Sequence, residues 1–180
     1  MKTIILKNTS MHVHIIRRFA MVIALLLIAI LNVACDGSPP AITAPEVERI
    51  RLAADQNQKD FGAYAVHVNA LTTDQLTPSI AEFYGIVRSD GIVMLNVVII
   101  ENDGSSDGKP ASGNVEVNAV NLTGQLKSVD IRMVQEDENI YYIGQVSVDN
   151  QETLIFNIDV QPEGETSAYL LSYSRKFYVD

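Results

Sequence analysis

Beyond residue 60 the chain alternates apolar and polar side chains with a period of two, the pattern of strands that bury one face. Tyr64, Val66, Val68 and Ala70 alternate with Ala65, His67 and Asn69. The same rhythm returns in Val115, Val117 and Ala119, in Val129, Ile131 and Met133, and in Ile140, Tyr142, Val146 and Val148. It returns again in Leu154, Phe156, Ile158 and Val160, and last in Tyr169, Leu171, Tyr173, Phe177 and Val179. Ile92 to Ile100 is apolar at nearly every position, which places it at the centre of a sheet covered on both sides. Turn residues separate these segments: Asp103-Gly104 and Asp107-Gly108, then Glu136-Asp137-Glu138-Asn139, then Asp149-Asn150. The spacing predicts an all-β fold, an immunoglobulin-like antiparallel β-sandwich of about seven strands with one short helical insert. A small antiparallel β-barrel is the alternative.

The helical insert is read at Thr77 to Gly85. Thr77 supplies an N-cap, Pro78 a first-turn proline and Gly85 a terminating glycine. Ile80, Phe83 and Tyr84 share one face and are expected to plug one end of the domain. Arg88-Ser89-Asp90-Gly91 reads as the turn into the central strand. A second short helix is expected after Pro45, with Val47, Ile50 and Ala54 at helical spacing, either docked on the domain or lengthening the stalk.

Before residue 60 the pattern is different. A basic stretch ending in Arg17-Arg18 runs into the apolar Phe19 to Val33 and stops at Ala34-Cys35-Asp36. At about fifteen residues this run is short for a membrane-spanning helix and suits a secretory signal. Residues 1–34 are therefore read as a signal peptide, with Met1 or Met11 as its start. Cys35 is the sole cysteine and is read as the lipidation site of a membrane-anchored lipoprotein. Asn32 falls where such signals usually carry Leu or another apolar side chain. Cleavage after Ala34 without lipidation, or an uncleaved anchor helix, are the other readings. Asp36 resembles an inner-membrane retention residue, with the outer membrane as the alternative. Residues 35–58, with Ser38-Pro39-Pro40, form a tether, and residues 59–180 the sandwich domain.

Charge narrows the partners. Removing residues 1–34 removes four cations and no acid, so the net charge falls from −9 to −13. Such a surface disfavours nucleic acid and anionic lipid heads, and leaves membrane contact to the anchor. One cysteine allows no intrachain disulfide, so the core must carry stability.

Several segments, taken in order, resemble an exported bacterial family of unknown function, domain-of-unknown-function family 4426. They are Phe61-Gly62-Ala63-Tyr64-Ala65-Val66-His67, Leu76-Thr77-Pro78, Ile80-Ala81 and Tyr84-Gly85-Ile86-Val87-Arg88-Ser89. Asn121-Leu122-Thr123-Gly124-Gln125, Ile140-Tyr141-Tyr142 and Phe177-Tyr178-Val179-Asp180 complete the likeness. The resemblance implies a small envelope domain and carries over no catalytic residue.

The remaining chemistry is sparse. His67 is the one histidine beyond the signal, on the outward side of its strand, where it could act as a base or ligand. Met94 and Met133 are the soft ligands that could join it on copper, although both fit the strand cores. No serine sits in a Gly-x-Ser-x-Gly elbow, and the acidic pairs Glu136/Glu138 and Asp103/Asp107 lie in turns. Arg88 is a candidate anion contact, and Tyr141 with Tyr178 a candidate outward aromatic patch. The reading is a periplasmic, non-enzymatic lipoprotein domain that needs no cofactor and no metal. It binds a protein or another envelope component through His67, Arg88, Tyr141 and Tyr178. The alternative is a periplasmic metal-handling or assembly factor using His67.

Overall fold

The computed structural model describes residues 48–53 and 55–179. In chain order they form β1 (Ile50–Arg51), β2 (Gln58–Asp60), β3 (Tyr64–Thr72), α1 (Pro78–Tyr84), β4 (Ile92–Glu101) and β5 (Lys109–Pro110). There follow β6 (Gly113–Asn121), β7 (Leu126–Ser128), β8 (Arg132–Glu136), β9 (Asn139–Ser147), β10 (Thr153–Pro162) and β11 (Tyr169–Lys176). One sheet has the order β1-β11-β10-β6-β7, the other β2-β3-β4-β9-β8 with β5 against β4. Every pairing is antiparallel except β1 with β11. The two sheets do not join, so the fold is an open sandwich and the barrel alternative falls.

Alternation explains the core. Val66, Val68 and Ala70 of β3 face Val93, Leu95, Val97 and Ile99 of β4, and all are buried. From the other sheet come Val117 and Ala119 of β6, Leu154, Phe156, Ile158 and Val160 of β10, and Leu171 and Tyr173 of β11. Tyr142 of β9 crosses between the sheets: its hydroxyl accepts from the Gly113 N–H at 2.7 Å and donates to the Gly113 carbonyl at 2.9 Å. Position 113 must be glycine because of its other neighbour, the paired strand β10: a Cβ there would lie 2.5 Å from the Gln161 carbonyl oxygen.

Three expectations are corrected. The helix after Pro45 is not formed at Ile50–Arg51, which pairs as a parallel strand with Leu171 and Ser172. Leu52 is buried in the core, so this part of the expected tether belongs to the sandwich; Val47 and Ala54 lie outside the described residues. An exposed strand edge on β11 outcompetes a helix too short to hold itself together. Val129 and Ile131 do turn inward, but from an unpaired segment that fills the space beside Gly144. Pairing with β9 begins only at Arg132, which leaves Met133 on an edge strand and 56% exposed. Ile80 and Phe83 do not plug an end: the helix lies on the outside of the six-stranded sheet with both side chains exposed.

The expected signal (residues 1–34), with Asn32, and the neighbouring Cys35 and Asp36 lie outside the described residues.

Candidate functional site

The outward face of the six-stranded sheet carries a second apolar cluster. Met94 and Ile143 are buried beneath Ile86, and Leu71, Leu76, Tyr84, Val134 and Tyr141 pack around them. Helix α1 is set down here by local signals. Thr77 Oγ1 accepts from the Ile80 N–H at 3.3 Å, Pro78 opens the first turn, and Gly85 closes the helix at φ 62°. An Arg132 guanidinium from β8 donates to the Tyr84 carbonyl and fastens the far end. Burial, with the nearby Glu136 carboxylate, pushes the Tyr84 phenol up to about 12, so it remains a neutral donor.

Above this cluster the surface is apolar. Phe83 is 68% exposed, Val87 72%, and Ile80 43%. Phe83 meets Tyr84 edge to face at 5.2 Å. Arg88 adjoins Val87 and donates through Nη2 to the Asp74 carbonyl at 2.6 Å, which holds the 73–75 turn. Tyr141 is half-buried on the same face of β9. His67 is half-buried on β3, opposite Val98 of β4, on this face too. Three of the four residues singled out by sequence thus share one side of the molecule.

Tyr178 does not join them. It follows β11 in the other sheet, is 70% exposed, and has the Lys176 ammonium 5.1 Å from its ring centre. The next residue, Val179, is fastened by its N–H to Asn150 Oδ1 at 3.2 Å, beyond the C-terminal end of β9. Tyr141 lies near the start of β9, about 20 Å away along the strand at 3.3 Å per residue.

The soft ligands are not gathered either. Met94 shares the outward face with His67, but the His67 partner Val98 is four residues farther along β4, about 13 Å at strand rise. Met133 pairs with Tyr142, whose side chain enters the core from the opposite face. Among the described residues no three His, Cys, Asp or Glu side chains converge as metal ligands.

Sequence reasoning missed one polar cluster altogether. At the end of the sandwich that carries the β6–β7 and β9–β10 turns, Lys127 Nζ donates to Glu152 Oε2 at 2.6 Å and to the Ser147 carbonyl at 3.0 Å. The two charged side chains are only 10% and 9% exposed. Asn121 Nδ2 donates to Glu152 Oε1 at 2.9 Å, and the Asp149 N–H to Oε2 at 2.9 Å. Burial works to raise the Glu152 carboxyl, but Lys127, the Asp149 N–H and Asn121 outweigh it and hold the group below its usual range. The three side chains come from β6, β7 and the turn before β10, so no local motif announces them.

The family described as domain of unknown function, DUF4426, matches over residues 58–180. A DUF4426 family protein from Pseudomonas aeruginosa, known from a crystal structure, is 32% identical with a TM-score of 0.59, covering 68% of this chain and 94% of its own. FetP of uropathogenic E. coli, in its as-isolated form, is 13% identical with a TM-score of 0.48 over 67% of this chain and 92% of that one. A copper-bound variant of FetP is 13% identical with a TM-score of 0.47, covering 68% and 90%. Those two likenesses are too distant to carry chemistry across. No curated protein matches the chain. The family match over most of the chain, and the 32% identity of the Pseudomonas protein, agree with the segments from Phe61 to Asp180: the chain belongs to the DUF4426 family.

Proposed function

We propose that this chain is a non-enzymatic binding domain of the bacterial cell envelope, exported by its first 34 residues and held to a membrane through lipidated Cys35. The observation that carries the binding role is the exposed apolar group Ile80 and Phe83 on α1 with Val87 just beyond it, above a cluster in which Tyr84 and Ile86 pack on Met94 and Ile143. Exposed aromatic and aliphatic side chains on a fixed support, rimmed by polar residues, are the usual anchors of a protein interface. Arg88 supplies a charge at the rim, and Tyr141 and His67 extend the same face. The partner is a protein or another envelope component with an apolar recess for Phe83.

Affinity capture from intact envelopes tests the reading. The wild type and Tyr178→Ala should recover the same partner, and Phe83→Ser with Val87→Ser should lose it. Recovery unchanged by the double substitution would sink the interface. For the anchor, Cys35→Ser should move the protein from the membrane to the soluble fraction. Unchanged retention would point to an uncleaved helix instead.

A further inference from the structure

The β6–β7 hairpin assembles an amine, a carboxamide and a carboxylate at a place nearly closed to water, in an arrangement that goes beyond an ion pair. Lys127 pairs with Ala119 across the hairpin, which puts Asn121, two residues farther along β6, on the same face as its diagonal neighbour. Glu152 touches both side chains, one oxygen receiving the Lys127 amine at 2.6 Å and the other the Asn121 amide nitrogen at 2.9 Å. The same amide nitrogen also reaches Gln125 Oε1 at 3.2 Å. The Asn121 carbonyl oxygen is held by three donors: the Thr123 hydroxyl at 2.7 Å, the Gln125 N–H at 2.9 Å and the Thr123 N–H at 3.1 Å.

We propose that Lys127 and Asn121 become joined side chain to side chain by an amide bond that the folded protein forms on its own. Each component of an acyl transfer is present. Lys127 Nζ is the nucleophile, and Glu152, in contact with it, takes its proton. The proton has only a 2.6 Å hydrogen bond to cross, between two side chains that are each about one-tenth exposed, so the transfer is direct and involves no water. The amine attacks Asn121 Cγ, and the oxygen that gains charge is the one already facing two backbone N–H groups and a hydroxyl. Glu152 then passes the proton to Asn121 Nδ2, which its other oxygen contacts. The Nζ–Cγ bond forms, the Cγ–Nδ2 bond breaks, and one ammonia leaves. No oxidant or second reactant is required. The reaction happens once per molecule, so a modest rate suffices. The Ser147 carbonyl and the Asp149 N–H keep amine and carboxylate in place meanwhile.

Peptide mass mapping of the full-length protein tests this directly. Fragments spanning residues 121–127 should weigh one ammonia less than their sequence, should resist trypsin after Lys127, and should stay joined after cleavage at Leu122 or Leu126. Lys127→Arg and Glu152→Gln should restore the full sequence mass. Because the decisive reading is made on the wild type, failure of a variant to fold does not blunt the test. A wild-type fragment of full mass overturns the proposal. So does an ammonia loss whose two flanks separate on cleavage, which would be cyclisation of Asn121 onto its own backbone, or a loss that survives in Lys127→Arg.

Discussion

On β6 of the five-stranded sheet the outward positions read Asn114, Glu116 and Asn118, all exposed, and on β10 Asn157 and Asp159 stand beside them. On β4 of the six-stranded sheet the outward positions read Ile92, Met94, Asn96, Val98 and Ile100, none of them fully exposed. The first sheet faces water and alternates cleanly. The second is covered in part by α1 and shows an almost unbroken apolar run. A face that is apolar in sequence belongs under something, and here α1 covers only the area around Met94 and Ile143. The surface beside it, from His67 and Val98 to the exposed side of α1, is where a partner would continue the cover.

The two faces and the core between them differ in what a substitution costs. Phe156→Ala, in the core shared by both sheets, should remove about 3–5 kcal/mol in urea unfolding and disturb both faces alike. Glu152→Gln leaves the Lys127 charge buried and unpaired at the end of the sandwich, and should cost about 3 kcal/mol at neutral pH. Its pH dependence has a definite sign. The folded carboxyl titrates below its unfolded value of 4.5, so its contribution is complete above that value and is lost as pH falls through the folded one. While Lys127 is a free amine, the gap between wild type and Glu152→Gln should therefore close on acidification; once Lys127 and Asn121 are joined, no ion pair is left to titrate and the gap should persist.

Smaller changes separate the two faces. Met94→Ala should cost about 2 kcal/mol and speed hydrogen exchange in α1, while Asn118→Ala on the opposite face should stay within about 0.5 kcal/mol. Thr77→Ala removes the cap and should cost about 1 kcal/mol, with the loss confined to α1. Smallest of all, Phe83→Ser should leave stability within about 0.5 kcal/mol, since its ring already stands in water. If Phe83→Ser unfolds the protein, the ring is packed and the contrast between the faces fails.

The long strands were legible because each buries one face over many residues. Seven of the strands have five residues or more, and six of them are the segments marked by period-two alternation or, for β4, by the apolar run; the seventh, β8, starts at Arg132, past the Val129 and Ile131 that alternation had marked. The short pairings β1, β2, β5 and β7 were not, because two or three residues hold no period and their partners lie far along the chain. Thr77, Pro78 and Gly85 act locally, so α1 could be placed along the chain, but which way it faces depends on the sheet beneath it. Of the candidate site, His67, Tyr141 and Arg88 were rightly set facing outward or in a turn. Their distance from Tyr178 follows from sheet assignment, which alternation alone does not encode. Asn121, Lys127 and Glu152 could not be linked from sequence, since each reads singly as a turn or surface residue.

The first described residues have a mechanical side. Arg49 pairs with Asp159, β1 makes two pairings along β11, and Leu52 is buried behind them. A pull at Glu48 acts along the axis of β1 and strains these few attachments in shear, while the long ladders of β10 with β6 and β11 carry little of the load. β1 should yield first and pay out the chain as far as β2, about 3.3 Å of reach for each freed residue. A domain held at its N-terminal side and gripped by a partner at α1 would thus stretch at a built-in slack before its core came under strain.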